Sequence, residues 1–128
     1  MKLRIKGNSL RLRVTRSEVN RLIDTGLIEE TIHFGPSEPL KLKYVLRHEP
    51  HLNSIALRYQ CPEVAVLLPT DAVKTWACSA QVGIYATIDI GPAGTVDIIV
   101  EKDFACLDRS HADNLDTFAN PNAGAVCS

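Results

Sequence analysis

The sequence predicts an α+β protein, and three observations lead to that prediction. Most of the chain consists of short runs in which apolar and charged residues alternate, as in strands with one buried face. Two stretches, after Thr15 and after Pro69, instead place apolar residues at helical spacing. Turn residues such as Gly7 and Asn8 separate the runs. We expect a mostly antiparallel curved sheet or open barrel with two helices covering one face.

The length and charge of the chain limit its class. A chain of 128 residues can fold as one domain without a metal or a disulfide. We predict a single α+β domain over residues 1–109 and an irregular C-terminal tail of the same domain over residues 110–128. The 14 basic and 15 acidic side chains give a net charge of −1, which argues against a dedicated nucleic-acid-binding domain.

The sequence also predicts a cytoplasmic protein with no membrane partner. No apolar run approaches the ~20 residues that span a bilayer. The N-terminal residues interleave charges with aliphatic side chains, which a signal peptide does not do. The four cysteines show no CxxC spacing, and in a reducing compartment we expect them to be free thiols.

The first 14 residues predict a β-hairpin. Charged and aliphatic residues alternate on both sides of Gly7 and Asn8, a pair that suits a type II′ turn. That turn places Ile5 opposite Leu10, so the apolar faces of the two strands coincide. A single bent strand with a bulge at Gly7 is the alternative.

The first helix has a start signal and a stop signal. Thr15 and Glu18 have the spacing of a capping box, in which each side chain binds the backbone N–H of the other residue. Gly26 ends the helix because glycine adopts the left-handed conformation without strain. The predicted buried stripe consists of Val19, Leu22 and Ile23.

The remaining elements follow from the same patterns. Strands are predicted over residues 27–34, 40–47 and 55–59, and the continuously apolar residues 64–68 predict a strand buried on both faces. In the strand predicted over residues 27–34, one face carries Ile28, Ile32 and Phe34. The second helix begins at Pro69 and Thr70. Its inner stripe contains Val73, Trp76 and Ala77. A hairpin of residues 82–90 and 95–102 completes the domain.

The two halves of the chain resemble each other at an offset of 54 residues. Residues 12–19 align with residues 66–73, and Leu22 aligns with Trp76. Each half then has two strands, a helix and two strands. Internal duplication explains this match, and so does the general likeness of any two strand–helix–strand units, so both explanations stay open.

Two phrases of the sequence are distinctive. MKLRIKGNSLRLRVTRSEV at the start and VEKDFACLDR near the end resemble a family of short bacterial proteins classed as a domain of unknown function. The resemblance covers most of the chain. It implies a bacterial, cytosolic protein with a single domain, and it brings no activity, cofactor or catalytic residue.

A transition-metal site is the first candidate. Cys106, Asp108 and His111 lie in one short stretch, and thiolate, carboxylate and imidazole are ligands of zinc and related metals. Cys127 lies in the same tail, and this thiol, or Asp103 or Glu101 at the end of the preceding strand, would complete four ligands. The spacing matches no established zinc signature. The alternative is that Cys106 packs in the core as a small hydrophobic residue.

A basic face is the second candidate. Five cations lie on one face of the predicted hairpin: Lys2, Arg4, Lys6, Arg11 and Arg13. Like charges on one sheet face repel, and a phosphate-rich ligand would relieve this. The alternative is pairing with carboxylates of neighbouring strands, namely Glu29, Glu30, Asp97 and Glu101. No aromatic residue interleaves with the hairpin, so we do not expect a nucleic-acid stacking platform.

These patterns predict a small binding or interaction module rather than an enzyme. The leading hypothesis is binding of zinc or another transition metal, or redox sensing, through the Cys106 loop. The alternatives are anion binding on the basic face and a structural subunit that forms a homodimer through an exposed sheet edge. The sequence does not identify a small-molecule partner, and nucleic acid is not an expected partner.

Overall fold

The computed structural model describes residues 1–104 and Phe118. Within these residues, the chain forms two α-helices and two four-stranded mixed sheets. The predicted α+β class and the two helices are confirmed. The arrangement of the strands differs in detail from one curved sheet or open barrel, because the two sheets are separate and are not closed into a barrel.

Each half of the chain contains a ββαββ unit. The first half consists of β1 (Lys2–Lys6), β2 (Ser9–Val14), α1 (Arg16–Thr25), β3 (Leu27–His33) and β4 (Lys41–His48). The second half consists of β5 (Ala56–Gln60), β6 (Glu63–Leu68), α2 (Thr70–Ala77), β7 (Gly83–Asp89) and β8 (Thr95–Lys102). A short 3-10 turn, Gly91–Ala93, joins β7 to β8.

Each sheet combines the first hairpin of one half with the second hairpin of the other half. Sheet A has the strand order β1-β2-β8-β7, and sheet B has the order β5-β6-β4-β3. The central pair of each sheet is parallel and joins the two halves, β2 with β8 and β6 with β4. Ser9 lies opposite Asp97. At the 54-residue offset Ser9 corresponds to Glu63 and Asp97 to Lys43, and these two residues also lie opposite each other. The internal repeat is therefore present in the pairing as well as in the element order.

The N-terminal hairpin forms as predicted. Ile5 lies opposite Leu10, and Lys6 pairs with Ser9 across a two-residue turn. Gly7 has a φ of 56°, whereas the described residues with positive φ include no asparagine. A positive φ at the first central residue alone is the type II′ pattern.

Both ends of α1 also form as predicted. The Thr15 side chain accepts a hydrogen bond from the Glu18 backbone, and the Glu18 carboxylate accepts one from the Thr15 N–H at 3.0 Å. Gly26 caps the other end with a φ of 77°. Val19 and Leu22 are buried. The prediction for Ile23 is wrong, since this side chain lies at the edge of the stripe and is 50% exposed.

One hydrophobic core takes side chains from both sheets and both helices. Trp76 is its largest fully buried residue, and its indole Nε1 donates a hydrogen bond to the Val82 carbonyl at 3.1 Å. The other buried members are Leu10, Leu12, Val14, Val19, Leu22, Ile28, Leu46, Val66, Leu68, Val73, Ile84, Val96, Ile98 and Val100. The core therefore depends on both halves of the chain at once.

β6 is buried on both faces, as its apolar sequence predicts. Val66 and Leu68 face the main core, whereas Ala65 and Leu67 belong to a smaller cluster on the other side of sheet B. Leu52, from the segment that follows β4, packs against this second cluster. Leu52 thus covers part of that face of sheet B.

The apolar pattern of β3 is buried only at its beginning. Ile28 is buried, but Ile32 on the same face is 47% exposed, and Phe34, just beyond the strand, is 68% exposed. The next residue on the Ile28 face is Glu30, whose carboxylate binds the Met1 amino group at 2.9 Å. This polar contact interrupts the apolar stripe before Ile32.

The Met1 amino group connects β1 to α1 and β3. It donates a hydrogen bond to Glu18 and forms an ion pair with Glu30. Burial of the amine lowers its pKa, but hydrogen bonds and charge from Glu18 and Glu30 outweigh this, so the pKa is raised above its ordinary 8.0. The charged amine is therefore favoured in the folded protein.

We expect Trp76→Ala to reduce the free energy of unfolding by about 3–5 kcal/mol, because it leaves a cavity in the hydrophobic core. Urea unfolding followed by circular dichroism measures this change. Ile23→Ala, at an exposed position, is the control and should change it by less than about 0.5 kcal/mol. Equal effects of the two substitutions would contradict the packing described for α2.

We expect Glu18→Gln to destabilise the protein by about 1–3 kcal/mol at neutral pH, because the Met1 amine loses its main partner. The raised pKa means that this stabilisation is complete below about pH 8 and is lost as pH rises through the higher folded-state pKa. Urea midpoints at a series of pH values should therefore converge for parent and variant at alkaline pH. Glu38→Gln, at an exposed site, should follow the parent, and a constant difference between parent and Glu18→Gln would contradict the prediction.

Candidate functional site

The residues of the predicted metal site lie outside the described residues. These are Cys106, Asp108, His111 and Cys127. Metal binding there stays a prediction. In the part of the chain that the structure describes, no three His, Cys, Asp or Glu side chains form a group that could hold a metal. The described cysteines, Cys61 and Cys78, are free and exposed.

The five cations of the predicted basic face all lie on the face of sheet A that points away from the core, here called the outer face. Directly opposed residues form three rows across the four strands β1, β2, β8 and β7. The rows are Lys2, Arg13, Glu101, Gly83; Arg4, Arg11, Ile99, Tyr85; and Lys6, Ser9, Asp97, Thr87. The outer face is thus basic on β1 and β2 and acidic on β8.

Two of the cations are paired with carboxylates. Lys2 Nζ lies 3.2 Å from Asp103, and Arg11 Nε lies 3.1 Å from Glu101. Arg4 and Lys6 are exposed, and among the described residues neither lies within ion-pair distance of a carboxylate. Arg4 also lies directly opposite Arg11, which places two like charges side by side.

The expected carboxylate partners are mostly engaged elsewhere. Of the four, only Glu101 is paired with a cation of the hairpin. Asp97 accepts a hydrogen bond from the Thr87 hydroxyl at 2.9 Å. Glu29 binds Lys43, and Glu30 binds the Met1 amine. The basic face is therefore only partly neutralised by the described part of the protein.

A depression of about 200 Å³ lies over the unpaired cations. It is lined by Arg4, Lys6, Ser9, Arg11 and Ile99. Backbone positions place the guanidinium groups and the ammonium group on the same side of the sheet. Guanidinium groups bind the oxygens of phosphate through paired hydrogen bonds, so this arrangement can bind a small anion.

Tyr85 lies beside this depression, in the row of Arg4 and Arg11, and is 60% exposed. Its hydroxyl lies 3.5 Å from Glu101 Oε2. Burial and the Glu101 carboxylate raise the pKa of Tyr85, whereas the Arg11 guanidinium acts in the opposite sense. A second depression of about 400 Å³ lies against Tyr85 and shares Ile99 with the first.

Gly83 allows the Tyr85 ring to lie along the sheet. A methyl group at Gly83 would come within 2.9 Å of the Tyr85 hydroxyl oxygen and within 2.9 Å of the Val100 carbonyl oxygen. The Tyr85 hydroxyl therefore occupies the space that a side chain at Gly83 would fill. The side chain therefore extends along its own strand and stays largely exposed.

Sequence reasoning missed Tyr85 and Ile99. Along the sequence no aromatic residue interleaves with the basic hairpin, but the parallel pairing of β2 with β8 brings Tyr85 into the same row as Arg4. The usable signal was the alternation within the last hairpin, which predicts that Tyr85 and Ile99 share its outer face. The missing information was the pairing of that hairpin with the N-terminal one.

Comparison with known proteins gives the family of the chain. A family model described as a family of unknown function (DUF7009) matches residues 1–122. The chain belongs to DUF7009. No curated protein and no solved structure matches the chain. The resemblance to a domain of unknown function is confirmed, and membership of DUF7009 assigns no ligand or reaction to these residues.

One further structural finding bears on partners of this DUF7009 protein. Over the described residues, no helix is both long enough and apolar enough to cross a membrane.

We expect Gly83→Ala in this DUF7009 chain to reduce the free energy of unfolding by about 1–3 kcal/mol, since the new methyl group collides with the Tyr85 hydroxyl and the Val100 carbonyl. Combining it with Tyr85→Ala should recover part of the loss, because one of the two collisions disappears. A double-mutant cycle of urea unfolding measures this coupling. Strict additivity of the two substitutions would show that the ring does not lie over Gly83.

Proposed function

We propose that this protein binds a phosphate-bearing anion on the outer face of sheet A, with Arg4 and Lys6 as its main contacts. The observation that carries the proposal is the presence of two exposed cations with no carboxylate partner among the described residues, next to a depression that a small anion fits. Arg11 and the backbone of β1 and β2 complete the surroundings of the anion.

Sheet B supplies an internal comparison, because its strands occupy equivalent places in the repeat. Three cations of sheet A correspond to apolar residues of sheet B at the 54-residue offset: Lys2 to Ala56, Arg11 to Ala65 and Arg13 to Leu67. The same backbone therefore forms with aliphatic side chains in these places. The fold does not require the cations, which supports a role in binding.

The charges of sheet B are also arranged differently. Lys43 lies 2.9 Å from Glu29, and Arg58, the equivalent of Arg4, lies 4.0 Å from Glu63. Cations and carboxylates thus alternate on that face and neutralise each other. The contrast with Arg4 and Lys6 indicates that the excess positive charge of sheet A is a local feature and not a general property of the fold.

The carboxylates of β8 limit where the anion lies. Asp97 and Glu101 stand on either side of Ile99 and repel a phosphate group from the β8 side of the face. The anion is therefore held over β1 and β2, where Arg4 offers a planar set of donors and Lys6 a compact charge. These two kinds of donor, side by side, support the proposal that the face binds an anion.

We further propose that the protein works in the bacterial cytoplasm, where phosphorylated small molecules are its available ligands. The free, exposed thiols of Cys61 and Cys78 support a reducing compartment. Transition-metal binding through the Cys106 loop stays a separate prediction that concerns other residues.

Inorganic triphosphate is a suitable probe. Titration at low ionic strength, followed by calorimetry and by backbone amide shifts, should show binding that is centred on residues 4–11 and weakens as salt is added. Arg4→Gln combined with Lys6→Gln should lower the affinity about tenfold or more. Arg58→Gln, at the equivalent position of sheet B, is the matched control and should leave it unchanged. No shift at residues 4–11 at low salt would disprove the proposal.

A further inference from the structure

We infer that the bound anion is the phosphate end of a nucleotide whose base stacks on Tyr85 over Ile99. This inference rests on the proposed anion site and names the class of its ligand. It is based on the central row of the outer face, in which two cations, an aliphatic residue and an exposed tyrosine follow one another across the sheet.

The row has the dimensions of a small ligand. Neighbouring strands are ~4.8 Å apart, so the backbones at Arg4 and Tyr85 are separated by three such steps, roughly 14 Å. The anion depression and the depression at Tyr85 lie on either side of Ile99, which lines both. One molecule can therefore occupy both depressions, with a charged group in the first and a flat apolar group in the second.

Tyr85 is oriented to stack. Because its hydroxyl lies over Gly83 and near Glu101, the side chain extends along its own strand, and it is 60% exposed to a ligand. Ile99, half-buried on the adjacent strand, extends the flat apolar surface from the ring towards Arg11. Stacking on such a surface contributes favourable free energy of binding for any of the bases, since every base has a π-face.

The carboxylates beside Ile99 favour a ring that carries N–H groups. Asp97 and Glu101 lie in the rows on either side of Ile99, where they can accept hydrogen bonds from amino and ring N–H groups of a base. These carboxylates also repel phosphate, so the ligand has a single orientation across the sheet. Its anionic end is over β1 and β2, and its donor-bearing ring is over β8 and β7.

The extent of the positive charge favours a single nucleotide over a nucleic-acid strand. Arg4 and Lys6 have no carboxylate partner among the described residues, and the β8 carboxylates limit the basic area on one side. The chain as a whole carries a net charge of −1. A long polyanion would meet more repulsion than a ligand with one phosphate group or two.

The experiment compares guanosine 5′-diphosphate, guanosine and inorganic pyrophosphate as probes in calorimetric titrations at low ionic strength. The diphosphate should bind at least about tenfold more tightly than pyrophosphate, because the stacked base adds to the anion contact. Tyr85→Leu should remove most of that gain and leave the pyrophosphate affinity unchanged. Tyr59→Leu, at an equally exposed tyrosine of sheet B, is the matched control and should change neither affinity.

The outcomes separate this inference from the function on which it rests. Arg4→Gln should weaken the diphosphate and pyrophosphate together. If pyrophosphate binds and depends on Arg4, but guanosine 5′-diphosphate binds no better, the anion site stands and the nucleotide inference fails. If neither pyrophosphate nor guanosine 5′-diphosphate binds, the proposed anion site and the nucleotide inference both fail. A short single-stranded RNA that binds much more tightly than the diphosphate, with the same dependence on Tyr85, would replace the mononucleotide by a nucleic-acid strand as the ligand.

Discussion

The parallel pairing of β2 with β8 and of β6 with β4 is the constraint on which the structure depends. Each pair joins strands from opposite halves of the chain, so neither ββαββ unit can complete a sheet alone. The shared core adds to this dependence, since Leu12 of the first half and Val100 of the second are both fully buried in it. Bringing together strands that are far apart in the sequence costs conformational entropy before the core contacts form. We therefore expect slower folding than in a chain of local hairpins.

The same pairing creates the candidate site. β2 brings the cations of the N-terminal hairpin, and β8 brings Ile99 and the two flanking carboxylates, while β7 adds Tyr85 at the far edge. No single segment of the sequence contains these groups together. The site is consequently a product of topology, and its integrity follows the register of one parallel strand pair.

Local features were predictable from the sequence because their causes are local. The turn at Gly7, the capping box of Thr15 and Glu18, and the burial of Trp76 each depend on a few neighbouring residues or on a periodic pattern. The division into two sheets and the row from Arg4 to Tyr85 were not predictable in this way. They depend on which distant strands pair, and alternation along a strand specifies its faces without specifying its partner.

The wrong prediction for Ile23 and the exposure of Ile32 have a related cause. Periodicity identifies the side of an element that is apolar, but it does not show how far the core extends along that side. Ile23 lies at the margin of the α1 stripe, and Ile32 lies beyond Glu30, where a buried amine replaces apolar contacts. For the metal hypothesis, Cys106, Asp108, His111 and Cys127 lie outside the described residues, so it stays a prediction.

The repeat has a consequence for stoichiometry. An assembly of two identical ββαββ units would present two identical outer faces and would bind two ligands or none. Because both units lie on one chain, each face can have its own side chains. On the face of sheet B away from the main core, Ala65 and Leu67 are buried and Leu52 packs against them, whereas Arg11 of sheet A, at the place equivalent to Ala65, lines an open depression. The backbone is nearly symmetric but its side chains are not, so the proposed anion site has no counterpart at the equivalent place in sheet B, and the proposal predicts one ligand per chain.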